Sequence, residues 1–261
     1  MLCKDDSVTY LTHLGYNTVK FPRASIVPLL VISGQRTALE ALGPLSDFVT
    51  GATYTPQVIC DEPAPDITGK KTNKLELSVG LDLLNRLLSV MGAASGKIDA
   101  SYQNARSIQL TFKNVLSDYV YPSEIDKCLL SGKPVMNSLL KTWMDKVGEA
   151  FIITRTIKSK SFGVTAYDSS GSALNMDVQG IQNVIGASGK ISPSAENSSE
   201  IQYEGTKMLS FGFQAISFCI QNNGFKLALA KAPVVLKGGG AVGEKENTVI
   251  FIPNELVDIK F

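Results

Sequence analysis

The sequence predicts an α+β protein whose centre is a large, mostly antiparallel sheet. Three observations carry that prediction. Residues 151–167 and 201–220 alternate apolar and polar side chains over stretches far longer than the ~5–6 residues of an ordinary strand. Stretches at residues 83–91, 124–130 and 135–147 instead repeat their apolar residues at helical spacing. The 261 residues, 44% of them hydrophobic and 19% charged, suffice to bury a core that holds both kinds of element together.

In chain order, Asp5, Asp6 and Ser7 offer helix caps ahead of Val8, Leu11 and Leu14, and Gly15 offers a stop, which reads as a short amphipathic helix. The sole histidine, His13, reads as a surface or packing residue on it. Residues 16–32 are extended, because Pro22 and Pro28 exclude a helix interior, and residues 37–49 read as a helix broken near Gly43 and Pro44. Residues 61–73 form a polar loop. Its Gly69-Lys70-Lys71-Thr72 is no P-loop, since Ala64 stands where the motif needs glycine. Residues 74–81 alternate as a half-buried strand, with Leu75, Leu77, Val79 and Leu81 on one face. A helix with Leu83, Leu84, Leu87, Leu88 and Met91 follows, and alternation returns at Ile108, Leu110 and Phe112.

A helical segment separates this unit from a second of similar plan. Ser123 caps residues 124–130, Gly132 breaks the helix, and Pro134 opens another carrying Val135, Leu139, Leu140, Trp143, Met144 and Val147, with Trp143 in the core. The second unit opens with a strand over residues 151–167. A turn at residues 168–171, an ambiguous insert at 174–185 and a glycine- and serine-rich loop at 186–200 lead to the strand at 201–220. Its apolar phase shifts between Phe213 and Ile216, as a bulge or a change of cover would produce.

The chain closes with a strand-like run at residues 233–236, a glycine-rich linker and a second strand at 248–252. Gly238, Gly240 and Gly243 match the dinucleotide fingerprint G-x-G-x-x-G, but the residues that follow read as strand where the motif requires a helix. A flexible linker tethering a strand-forming tail fits better.

Several functions are disfavoured. A net charge of +1 leaves no basic footprint for nucleic acid. Cys3, Cys60, Cys128 and Cys219 lie far apart and face one histidine, which argues against a metal site. There is no G-x-S-x-G, and a single histidine leaves little choice of base, so no catalytic residue is expected and the chain does not read as an enzyme. The first apolar run, residues 26–32, is short and interrupted by Pro28, and no run approaches the ~20 apolar residues of a membrane-spanning helix, so a cytoplasmic protein with reduced thiols is expected. The long alternating strands admit two readings: a large antiparallel sheet with one solvated face, or strands able to cross a bilayer, which takes ~9–11 tilted residues. Cys3, beside Leu2, is either a bland terminal thiol or an S-acylation site.

Leu2-Cys3, the run Val8-Thr9-Tyr10-Leu11-Thr12-His13-Leu14-Gly15-Tyr16-Asn17, and the Pro22-Arg23 and Pro28-Leu29 that follow resemble the N-terminal region of bacterial gasdermins. The likeness extends diffusely over the whole chain. It implies a twisted sheet with surrounding helices like the gasdermin N-terminal domain (residues 1–237), a cleavable linker (238–247) and a short autoinhibitory tail (248–261). It further implies an effector of anti-phage defence. On this resemblance a neighbouring protease is expected to cut within Leu236, Lys237, Gly238, Gly239, Gly240, Ala241, Val242, Gly243, Glu244, Lys245, Glu246 and Asn247, and the monomer is then expected to oligomerise in the inner membrane as a pore. Residues 74–116 and 150–221 resemble the segments that refold into transmembrane hairpins. Cys3 matches the acylated cysteine, so the expected cofactor is none beyond a covalent S-acyl lipid. Val249, Phe251, Ile252, Leu256 and Val257 are the expected grip of the tail. The competing reading is a soluble mixed-sheet binding module.

Overall fold

The computed structural model describes residues 11–12, 14–35, 38–64, 75–76, 81, 84–85, 87–89, 101–135, 141, 150–185, 189–194, 199–221, 224–228, 249–251 and 256–261. Among them the strands are β1 (Asn17–Arg23), β2 (Leu30–Gln35), β3 (Ala38–Pro44), β4 (Val49–Thr50), β5 (Ile59–Pro63), β6 (Leu75–Glu76), β7 (Ser107–Lys113), β8 (Leu116–Tyr119), β9 (Lys133–Pro134), β10 (Ala150–Tyr167), β11 (Gly189–Pro193), β12 (Glu200–Gln221), β13 (Gly224–Ala228) and β14 (Leu256–Lys260). Helices α1 (Pro122–Ser131) and α2 (Val178–Ile185) flank them. All of these strands but β4 and β9 belong to one sheet.

The spine of that sheet is β10 and β12, of 18 and 22 residues, paired antiparallel from Ala150 opposite Phe218 to Thr165 opposite Glu200. At one end the pairing continues from β12 through β1, β14, β3 and β2 and returns to β10, so six strands close into a ring. Each of the six sends side chains into one core: Val19, Val257 and Ile259, Leu39, Ile32, Phe151 and Ile153, Phe213 and Ala215. Residues of opposite parity, Val31, Ile152, Ile216 and Phe218, pack with Ile125 and Leu129 of α1 in a second core. The phase shift in β12 is therefore a change of cover. Both faces are buried there, so the apolar residues need not keep one parity.

Beyond the ring the spine continues as an arm, with β7 along β10 and β11 along β12. Its apolar face, Ile108, Leu110, Phe162, Val164, Ile201 and Tyr203, lies under Leu84, Leu87, Leu88 and Tyr102 and under Ile181 of α2. Ring and arm meet where three strands are irregular at one level. Asn114, between β7 and β8, is left-handed at φ 51°, and in β10–β12 the pairing jumps from Ser159–Leu209 to Ser161–Glu204.

Several local expectations change. Residues 38–44 form β3, not a helix, because pairing with β14 on one side and β2 on the other outweighs the helical propensity of Ala, Leu and Glu. Helix α1 is capped by the backbone of Tyr121 with Pro122 in its first turn, rather than by Ser123; Pro134 lies in a two-residue strand, and the helix expected after it, with Trp143, lies outside the described residues except for Val135, which is not helical, and Lys141, which is. Leu81 is helical rather than the end of a strand. The predicted loop at 186–200 contains β11, whose pairing with β12 supplies the order its glycine- and serine-rich sequence does not advertise.

Candidate functional site

The seam of the ring is where the tail enters. Strand β14 lies between β1 and β3 and runs parallel to both, with Thr18 opposite Leu256, Val19 opposite Val257, and Ile259 opposite Leu39. Parallel pairing needs a long connection, and β14 follows β1 and β3 by more than 200 residues in the chain. Val257 and Ile259, 0% and 2% exposed, point into the ring core, whereas Lys260 is exposed. Upstream, Val249 and Phe251 pack against the same core. The Val249 N–H donates to the Ala215 carbonyl of β12 at 2.8 Å. The side-chain amide of Asn17, at the start of β1, donates to the Val249 carbonyl at 2.8 Å and accepts the Phe251 N–H at 2.9 Å. The Phe251 ring stands edge-on to Phe151, their centroids 4.6 Å apart.

The arm carries the second feature. Its non-apolar face is not solvated as a one-sided sheet would be, because Thr111, Ser161, Thr165 and Glu200 are buried. Lys113 of β7 reaches across β10 to Glu200 of β12 at 2.9 Å, and the Glu200 carboxyl lies over Gly163. A Cβ at Gly163 would lie 2.5 Å from both the Glu200 carboxyl carbon and the Thr111 hydroxyl, so only glycine leaves the ion pair its room. On the apolar side the Tyr102 and Tyr203 hydroxyls meet at 2.8 Å, and burial pushes Tyr102 up to about 12. At the tip, the Asp168 carboxylate accepts bonds from the Ser170 hydroxyl and from the backbone N–H groups of Ser170 and Ser172. The Ser170 hydroxyl is the largest cause holding it below the usual carboxylate range. Among the described residues, no helix is long and apolar enough to cross a membrane, which says nothing of crossing by strands.

Of the sequence-predicted site residues, Val257 is buried in the seam, Leu256 half-buried beside it, and Val249 and Phe251 half-buried on the ring core. Cys3, Ile252 and the whole linker from Leu236 to Asn247 lie outside the described residues. The expected strand at 248–252 is displaced: Val249, Ile250 and Phe251 are irregular, and the regular strand is Leu256–Lys260. The Asn17 side chain replaces strand pairing at Val249 and Phe251, so apolar content there marked burial rather than a ladder. Sequence reasoning missed Ile259, although its alternation with Val257 could have revealed it, and missed Asn17, which no local pattern marks.

Residues 19–225 match the model of the Bacterial Gasdermin Family. A gasdermin bGSDM of Vitiosangium sp. is 35% identical over 244 residues, covering 93% of this chain and 91% of its own length. A gasdermin bGSDM of a Desulfuromonadales bacterium is 34% identical, covering 85% and 84% respectively. In fold, the chain is similar to a bacterial gasdermin from Bradyrhizobium tropiciagri, with a TM-score of 0.64 over 85% of this chain and 90% of that one at 16% identity. The ring and arm are thus the gasdermin architecture, and the chain belongs to the bacterial gasdermin family.

Proposed function

We propose that the chain is an autoinhibited pore-forming effector of bacterial anti-phage defence, held as a cytoplasmic monomer until a partner protease cuts its linker. The cut falls within residues 236–247, the tail leaves, and protomers assemble in the inner membrane as a large β-barrel pore that kills the cell. The observation that carries this reading is the position of the tail: the strand that completes the ring, β14, lies on the far side of residues 236–247 from the rest of the sheet. While tethered, it is present at high effective concentration. Once cut, its rebinding becomes bimolecular, and a modest grip is lost on dilution. Its loss leaves facing edges on β1 and β3, and unpaired edges are templates for pairing with another chain.

The spine suits the membrane-crossing part. Its 18- and 22-residue strands exceed the ~9–11 tilted residues that span a bilayer, and the arm offers an apolar face for lipid and a polar face for a lumen. In this reading residues 74–116 and 150–221 become the two transmembrane hairpins. An S-acyl chain on Cys3 assists them, since one chain alone gives only marginal attachment. A chain truncated after Lys237 is expected to release dye from liposomes that the full chain leaves tight. Tight liposomes together with harmlessness in cells would overturn the proposal. For the lipid, intact mass of protein from its native host should show an adduct that Cys3→Ala loses, and an unmodified thiol removes Cys3 from the mechanism.

A further inference from the structure

Asn17 places a polar amide beside the apolar core of the ring, and it is only 3% exposed. Its Nδ2 lies 2.8 Å from the Val249 carbonyl and a longer 3.5 Å from that of Phe213, while its Oδ1 takes the Phe251 N–H at 2.9 Å. The two short bonds go to the main chain at residues 249 and 251, a spacing of two, which is the pattern a strand presents to its neighbour. One side chain thus does what a strand edge would do, for a segment that is not a strand. With the Val249 N–H bonded to β12, residues 249–251 are gripped from both sides, and the Phe251 ring comes to rest on Phe151. A buried amide is costly unless both its ends are bonded. At Asn17 both ends are satisfied at short range by the tail, so the position favours the docked tail and penalises its absence.

We propose that Asn17 is the positioning residue of the tail site, fixing through the backbone of residues 249 and 251 the register in which β14 enters between β1 and β3. Its consequence at a membrane rests on the reading of the tail as inhibitory, whereas the clasp itself does not. The recognised group is the main chain of an extended peptide, so side-chain identity at residue 249 matters less than the amide at residue 17.

The test is residue-resolved amide exchange on the full chain with Asn17→Asp, which puts an oxygen against the Val249 carbonyl, and with the shorter Asn17→Ser. Exchange at Phe251, Val257 and Ile259 is expected to quicken roughly tenfold or more, with Leu110 and Val164 in the arm unchanged. Ile108→Val serves as a control that lowers arm stability without favouring the tail. No acceleration at the tail, or equal acceleration in tail and arm, overturns the clasp. The same uncut variants are then added to dye-loaded liposomes of bacterial lipid. Leakage extends the clasp to membrane control; tight liposomes leave the clasp standing, because the tethered tail still rebinds, and it is tight liposomes with the chain truncated after Lys237 that overturn the inhibitory reading.

Discussion

At Lys158 an ammonium with 15% side-chain exposure meets Asp118 at 2.6 Å and Asp61 at 2.8 Å, while the Asp61 N–H bonds the other Asp118 oxygen at 2.8 Å. Burial by itself would lower the lysine, but the two carboxylates outweigh it and the net shift is upward. This group ties β5 and β8 to β10 close to the irregular level between ring and arm. Replacing Lys158 by Met leaves Asp118 buried without its cation and is expected to cost about 2–3 kcal/mol, measured by chemical denaturation at pH 7. The sign of the pH dependence follows from the raised value. The stabilisation is fully present below the ordinary lysine pKa of ~10.4 and is lost as pH rises through the higher folded value. On the alkaline side, wild type and variant should therefore differ by a constant amount from neutral pH upward and converge in strong alkali. Convergence near neutrality would show that the pair is not what stabilises this junction. The sequence flags Lys158 only as a basic residue within a strand, because both partners come from segments 40 and 97 residues away in the chain.

Elements were legible in proportion to how far their own residues determine them. Strand β7 and α1 follow from alternation and helical spacing, because the apolar face of each meets a core, and both spine strands follow from the unusual length of their extended, alternating stretches, although within the ring both of their faces are buried. Strand β3 was not legible, since Ala-Leu-Glu-Ala favours a helix and the pairing that overrides it comes partly from β14, more than 200 residues away. The tail was legible as an apolar, strand-forming segment, but its parallel insertion between β1 and β3 was not. Within β14 the alternation makes a sharp prediction. Ile259→Ala removes atoms from the ring core and is expected to cost about 2–4 kcal/mol of tail docking, whereas Lys260→Ala, at an exposed position, should stay within about 0.5 kcal/mol. Protease susceptibility of the tail reads the difference. Equal effects of the two substitutions would contradict the register that places Ile259 inward.

For the whole molecule, the decisive property is that a sheet without free edges at one end is closed by a strand supplied from the end of the chain. Closure removes the edge groups that would otherwise pair with other molecules, and the arm core of Ile108, Phe162 and Tyr203 does not depend on β14 for its contacts. Loss of the tail should therefore open the ring without unfolding the arm, which separates this molecule from one with a single indivisible core. In solution without membranes, a chain truncated after Lys237 is expected to keep its arm amides protected while β1 and β3 become exchangeable. Light scattering should then show a mass rising with concentration as the exposed edges pair between copies, and the full chain should stay at the mass of one copy under the same conditions. A truncated chain that remained monomeric with β1 and β3 still protected would mean that the two strands close on each other. The seam would then heal itself, and β14 would be an occupant of the ring rather than its closure.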